Sequence, residues 1–263
     1  MQPKLTFVQI SDSHLGPTRD FEKHGVRPYD CLQRFITLFN DAPLQPDFLL
    51  HSGDVSDDGS PASYALASEL FAQINVPVYF VNGNHDSVAT LRRLMDANAT
   101  AHSGNPDAPL SYTFDLKDER FLVLDAFSET VPQPLGFMSE AQIAFLRAET
   151  ESGTLPLTVF VHYPPFEMGS PWLDEHMPIT NGEDLHQALL PARDRLRGVF
   201  GGHLHRPCQT TRNGITYCTT ASVAFQYTWH GWEDLPIYDP ATPSGYLVTR
   251  YFDRHVVATH YSF

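Results

Sequence analysis

The sequence predicts an α/β (α+β) fold: mixed β-sheets with helices outside, in a single domain over residues 1–263. Three observations carry this. Short β-branched and aromatic runs alternate with amphipathic segments. The chain opens in the order β-α-β-α-β, as parallel strands joined by helices do, and its second half is rich in strands. No repeat, low-complexity tract or linker divides it, and 42% hydrophobic content in 263 residues can fill a substantial core.

Taken in order, strands are expected at Leu5–Ile10, Asp47–His51, Val76–Val81, Ser111–Asp115, Phe121–Asp125, Leu157–Val161, Gly198–Phe200, Ile215–Thr219, Gly245–Tyr251 and Val256–Tyr261. Helices are expected at Tyr29–Asn40, Pro61–Ile74, Val88–Ala97, Ser139–Ala148 and Glu183–Leu190. Ser60 before Pro61 has the form of a helix N-terminus, with a hydroxyl cap and a proline at the first position. Asn213-Gly214 suits a two-residue hairpin, which sets Gln209 rather than Cys208 opposite Cys218. That register argues against a disulfide, and three cysteines suit a reducing compartment.

Composition excludes several partners. A formal net charge of −14 argues against nucleic-acid and anionic-membrane surfaces, which are bound through Lys/Arg patches. No apolar stretch approaches the roughly 20 residues of a membrane span. The N-terminus passes at once into "KLTFVQISDSH", unlike a signal peptide, and a cytoplasmic location is expected.

The chemistry-bearing residues fall after strands. "ISDSH" carries Asp12 and His14, "HSGDV" carries Asp54, and "GNHD" carries Asn84, His85 and Asp86. "FVHYP" carries His162, and "FGGHLH" carries His203 and His205. Any one of these reads as a turn. In "VNGNHDS", for instance, Gly83 would supply a special backbone angle and Asp86 would cap the next helix. Five such clusters at strand ends converge instead on a ligand crevice, because loops beyond the carboxyl ends of strands meet there in open α/β sheets.

In this order the motifs D-x-H, G-D, G-N-H-[D/E], a later H and G-H-x-H resemble the calcineurin-like metallophosphoesterase superfamily, across Asp12 to His205. The resemblance implies a four-layer αββα sandwich of two mixed sheets, with a dimetal site at the strand C-terminal ends. It implies that Asp12, His14, Asp54 and His205 hold one metal, and Asp54, Asn84, His162 and His203 the other. Imidazole, carboxylate and amide ligands suit Fe, Mn or Zn, with Fe and Mn favoured here. Two such ions and a bridging hydroxide would leave the site positive, enough to attract a phosphodiester anion despite the acidic chain. His85, by resemblance not a ligand, would stabilise the transition state or protonate the leaving oxygen, with Asp54 sharing the catalytic role through the bridged metals. Asp86 would stand behind the ligands or cap the helix.

Within the superfamily the chain is similar to bacterial class III cyclic-nucleotide phosphodiesterases and glycerophosphodiesterases. The match rests on "VHYPPFEMGSPWLDEHMPITNGEDLHQAL" and "GVFGGHLHRPCQTTRNGITYCTTASVAFQY". The implied reaction is hydrolysis of a small phosphodiester, with 3′,5′-cyclic AMP as candidate substrate. Alternatives are a phosphomonoesterase, a broad-specificity glycerophosphodiesterase, a repair nuclease, disfavoured by the missing basic tract, and a metal-free scaffold. A homodimer is common among similar enzymes. Pro164–Pro178, with Phe166, Met168, Trp172 and His176, has the composition of a semi-rigid rim. Phe225–Tyr238, with five aromatic residues, reads as packing or a dimer contact ahead of substrate stacking. Asn181 could be a turn residue or touch substrate. His24, His51, His102, His186, His230 and His255 have no motif context, and structural roles are expected for them.

Overall fold

The computed structural model describes residues 2–97, 109–228 and 235–263. Its strands are β1 (Leu5–Ile10), β2 (Phe48–His51), β3 (Val78–Phe80), β4 (Tyr112–Leu116), β5 (Glu119–Leu124), β6 (Leu157–Val161), β7 (Leu196–Gly201), β8 (Cys208–Arg212), β9 (Ile215–Thr219), β10 (Gly245–Tyr251) and β11 (Val256–Ser262). Its α-helices are α1 (Pro28–Asp41), α2 (Pro61–Phe71), α3 (Val88–Ala97), α4 (Glu140–Ser152), α5 (Pro171–His176) and α6 (Gly182–Leu189). One sheet has the order β11-β10-β1-β2-β3 and the other β4-β5-β6-β7-β9-β8. Both are mixed: β1, β2 and β3 pair in parallel, as do β5, β6, β7 and β9, while β10, β11, β4 and β8 pair antiparallel.

Alternation along the strands sorts side chains into layers. On β5, Phe121 and Val123 enter the core shared by the two sheets, whereas Leu122 and Leu124 face the outer core with Leu146 of α4 and Leu185 and Leu189 of α6. Between the sheets, Phe7 stacks on Phe48 at 5.1 Å and meets Phe160 and Phe200 edge-on at 5.6 and 5.5 Å. On β1 all six residues are buried, as expected of a strand covered on both faces. Helix α1 buries Leu32, Phe35 and Ile36, spaced one helical turn apart, against the same core. The four-layer αββα arrangement is thus built from two-residue alternation in strands and 3.6-residue spacing in helices.

Local expectations held where the chemistry is local. Ser60 caps α2 by accepting from the Ser63 amide, with Pro61 at the first position. Gln209 lies opposite Cys218, and all three cysteines are free. Where they failed, the signal was weak. Strand β8, "CQTTR", is an edge strand with little apolar pattern of its own, implied only by the Asn213-Gly214 hairpin. Helix α5 interrupts the expected rim at Pro171. Strand β3 is shorter than Val76–Val81, and α2 ends at Phe71 rather than Ile74.

Candidate metal centre

The segments following β1, β2, β3, β6 and β7 meet at one edge of the two sheets. Parallel pairing brings them together: β1 and β2 keep bonding beyond their ends, Asp12 N to Gly53 O at 2.9 Å and His14 N to Asp54 O at 3.0 Å. In the second sheet β6 and β7 likewise bond past their ends, the Gly202 amide donating to His162 O at 2.9 Å, and that sheet is locked to the first by the His203 amide donating to Asp12 Oδ2 at 3.2 Å. Gln9 Nε2 spans the two sheets, donating to Ser52 Oγ at 2.9 Å and Gly201 O at 2.8 Å.

All six expected His and Asp ligands are buried and fall into two groups, Asp12 with His14 and His205, and Asp54 with His162 and His203. His14 Nε2 lies 3.1 Å from His205 Nε2, and His203 Nδ1 lies 3.1 Å from His162 Nε2. Asp54 Oδ2 stands between the groups, 3.6 Å from both His14 Nε2 and His162 Nε2. His205 Nε2 is 3.4 Å from Asp12 Oδ1. Donors bound about 2.1 Å from one ion are about 3.0–3.4 Å apart at right-angled to tetrahedral geometry and about 3.6 Å apart at roughly 120°, so these spacings fit shared cations. Asp12 Oδ1 and Asn84 Oδ1 are buried without hydrogen-bond partners. Such atoms are costly unless something else satisfies them.

The backbone is bent to achieve this. Asp12, His14, Asp54, His203 and His205 all have positive φ, between 44° and 72°. Left-handed non-glycine residues cost about 1–2 kcal/mol each and persist only where their surroundings fix them. Gly83, by contrast, does not have positive φ, which corrects the expectation of a special backbone angle there. It is needed for space: a Cβ at Gly83 would lie 2.1 Å from Asp54 Oδ1 and 2.4 Å from Asp54 N. Gly202 is similar, its Cβ falling 1.9 Å from Ser11 Oγ and 2.8 Å from Asp12 Oδ2.

A second ring of contacts orients the imidazoles. Nδ1 of His14 bonds Asp57 Oδ1 at 3.0 Å, Nδ1 of His162 bonds Ser52 O at 2.7 Å, and Nδ1 of His205 bonds Phe225 O at 2.8 Å. Each fixes the proton on Nδ1 and turns the Nε2 lone pair inward. Burial pushes His14, His203 and His205 below the ordinary imidazole range, keeping them neutral. Burial alone would lower His162 too, but the Asp54 and Asp12 carboxylates beside it raise it to about 9. Burial raises Asp12, while His162 and its neighbours hold Asp54 low. Without cations, protons must therefore compensate the two buried carboxylates.

His85 lies beside this cluster. Its amide donates to Asp54 Oδ1 at 3.0 Å, its Nδ1 bonds Asp57 O at 2.8 Å, and its ring meets His14 at 4.8 Å. Asp86 does not cap α3, which corrects one of its two expected roles. It accepts from the amides of Gly83, Val55 and Ser56 at 3.1, 3.3 and 3.2 Å, and from Tyr64 OH at 2.7 Å. It therefore ties the "GNHD" turn to the "GD" turn.

A cavity of about 280 Å³ opens over the cluster, lined by His14, Asp54, Asn84, His85, His203 and His205 at its floor. Its walls include Trp172, Leu173 and Met177 on one side and Tyr227, Thr228, Leu235 and Pro236 on the other. Both aromatic regions therefore reach the site, and Phe225–Tyr238 does more than pack. Trp229 and Trp232 lie outside the described residues, as do His102 and His230. Asn181 is structural, bonded through both amide atoms to the Met138 backbone at 3.0 and 2.9 Å. His51 is buried behind the site on Ser13 Oγ at 2.9 Å, and His186 is buried on Tyr217 OH at 2.7 Å. Sequence reasoning missed Asp57 and Lys23. Asp57, three residues after Asp54 in "GDVSD", had a local signal; Lys23 had none.

A family model described as calcineurin-like phosphoesterase matches residues 5–207. A probable cyclic nucleotide phosphodiesterase of Fibrobacter succinogenes is 27% identical over 223 residues, covering 84% of this chain and 81% of its own. A glycerophosphodiester phosphodiesterase of Enterobacter lignolyticus is 26% identical over 242 residues, covering 91% and 85%. The 3′,5′-cyclic adenosine monophosphate phosphodiesterase of Escherichia coli is 25% identical over 255 residues, covering 92% and 88%. Among solved structures, a purple acid phosphatase from yellow lupin aligns with TM-score 0.63 at 14% identity, covering 98% of this chain and 51% of its own. An anchor protein of the Plasmodium inner membrane complex aligns with TM-score 0.60 at 14% identity, covering 98% and 84%. At that identity the shared feature is the fold.

Proposed function

Because the chain belongs to the calcineurin-like phosphoesterase family, we propose that it is a dimetal phosphodiesterase acting on a small diester, with 3′,5′-cyclic AMP as the leading candidate. The observation that carries this reading is Asp54 Oδ2, equally distant at 3.6 Å from an imidazole of each ligand group. In this reading Asp12, His14, Asp54 and His205 hold one ion, and Asp54, Asn84, His162 and His203 the other. The mixed nitrogen and oxygen ligands suit iron, manganese or zinc, and iron or manganese is the proposed occupant. When bound, such ions acidify water and draw charge from phosphoryl oxygens.

The protein's own groups do the rest. Asp54 fixes the spacing of the two halves, and its Oδ1 orients the following turn through the His85 amide. With Nδ1 held by Asp57 O, the His85 ring keeps one orientation and offers Nε2 to substrate. Protonated, it can give that proton to the departing alkoxide oxygen. Trp172, Leu173, Met177, Leu235 and Pro236 provide apolar walls for an uncharged organic group on the phosphate. The relatives named for cyclic nucleotides and for glycerophosphodiesters support the diester class. The net charge of −14 supports an enzyme that works on small molecules rather than nucleic acid or membrane.

The test is a comparison of kcat/KM under Mn²⁺ for 3′,5′- and 2′,3′-cyclic nucleotides, glycerophosphodiesters and the matching monoesters. Diesters are expected to exceed monoesters, with 3′,5′-cyclic AMP leading. A monoester preference would overturn the assignment, and a glycerophosphodiester preference would replace the substrate.

A further inference from the structure

We propose that Lys23 is a substrate-binding residue, its ammonium directed at the phosphoryl oxygens of the bound ester by a hairpin that His24 clamps in place. The inference rests on the phosphodiesterase reading and adds to it a cationic contact.

Lys23 and Val26 bond reciprocally, N to O at 2.9 and 3.0 Å, closing a two-residue turn over His24 and Gly25. Both turn residues have positive φ, 54° and 72°, as a tight right-twisted hairpin requires. Positive φ is uncommon outside glycine, and histidine is among the residues that tolerate it best, so the side chain can be chosen for its contacts. It is held on three sides. The ring stacks on Tyr238 at 5.1 Å and 11°, meets Phe225 at 5.0 Å, and bonds Tyr227 OH through Nε2 at 2.9 Å. The clamp is itself anchored, since the Arg206 guanidinium binds both Tyr227 O and Asp239.

The hairpin delivers Lys23 to the wall of the cavity. It is the one Lys or Arg among the described residues lining that space, in a chain with 31 acidic and 17 basic residues. Nζ pairs with Asp57 Oδ1 and lies 5.6 Å from the centre of the Phe225 ring, whose other neighbours include His14 and His205. An ammonium has three N–H groups and Asp57 occupies one, so two remain for an anion. His14 Nδ1, at 3.0 Å, gives Asp57 a hydrogen bond but no charge, so Lys23 serves as its counter-ion and still keeps donors free toward the cavity. A clamped cation beside the ligand cluster, with donors to spare, is what a phosphoryl oxygen would meet.

The experiment measures kcat and KM for an activated diester, bis(4-nitrophenyl) phosphate, together with the inhibition constant of inorganic phosphate and the bound Mn²⁺ content. Lys23→Ala is expected to raise KM and the phosphate inhibition constant about ten-fold or more, the scale of one charge-assisted hydrogen bond, with metal content unchanged. Lys23→Arg should recover much of that loss, and His24→Ala should reproduce part of it. Wild-type KM and phosphate inhibition in Lys23→Ala would overturn the proposal. So would metal loss in proportion to activity, which would make Lys23 a support for Asp57 and His14. If the wild-type protein hydrolyses no diester, the functional reading fails instead. Calorimetric titration of inorganic phosphate into the Mn²⁺-loaded protein then still decides Lys23, because binding unchanged by the Ala substitution overturns its role.

Discussion

Replacing Gly83 with alanine should cripple the site while leaving the fold largely intact. The added Cβ would sit 2.1 Å from Asp54 Oδ1 and 2.4 Å from its backbone nitrogen. Ordinary contact needs about 3.4 Å or more, so Asp54 and the Gly83 turn must separate by over about 1 Å. Neither side yields easily: Asp54 is buried at positive φ, and the turn is held by Asp86. A misplacement of about 1 Å in a reacting geometry can cost about 100-fold in rate, and here it moves the residue proposed to serve both ions. Overpacking itself should cost about 1–3 kcal/mol, a fall in Tm of roughly 3–10 °C in a domain of this size. Gly214→Ala is the control. In the β8–β9 turn its φ of 81° makes alanine strained, but the nearest atom to the added Cβ is Arg193 Cδ at 3.7 Å. Both variants should lose stability by thermal melt, and only Gly83→Ala should lose kcat by about 100-fold and shed metal. Equal activities in the two variants would refute the argument that Gly83 exists to let Asp54 approach.

Three further outcomes follow from the same geometry. His85→Ala should keep its full metal content and lose kcat by about 100-fold, measured on the best diester of the panel; metal loss would mean that His85 is a ligand. Asp57→Asn removes the charged partner of His14 Nδ1 and should weaken metal binding about 10–100-fold by competition with a chelator, a change confined to the ion held by His14. Metal loading should also release protons. His162, raised to about 9 by its carboxylate neighbours, is protonated in the metal-free chain near pH 7 and must be neutral to bind. Affinity should therefore rise more steeply below about pH 9 than above it. His162 should add about one released proton per chain at pH 8, read in weak buffer, a contribution lost above pH 10 that leaves only the proton given up by metal-bound water.

How much of this was legible follows from how local each device is. Strands and helix starts declare themselves in a few consecutive residues, so β1, β6, β9 and the Ser60–Pro61 cap were readable. The candidate ligands were readable for a related reason: each hangs on the residues just after a strand, and parallel pairing brings strand ends together without further information. Gly83 was half legible, since the turn was clear but the Asp54 atoms it must admit lie about thirty residues away. Lys23 was not legible. Its position depends on His24 meeting Tyr227 and Tyr238, over 200 residues downstream, and nothing in "FEKHGV" names those partners. For the same reason Phe225–Tyr238 looked like packing: an aromatic run carries the same sequence signal whether it faces a core or a cavity.

The most direct test of the dimetal account is the metal content of the wild-type protein and of Asp54→Ala, each reconstituted with excess Mn²⁺ and desalted. If Asp54 serves both ions, the wild-type chain should retain about two ions and hydrolyse diesters, and the variant should lose both ions and all measurable turnover. Two retained ions with wild-type turnover in Asp54→Ala would contradict the account.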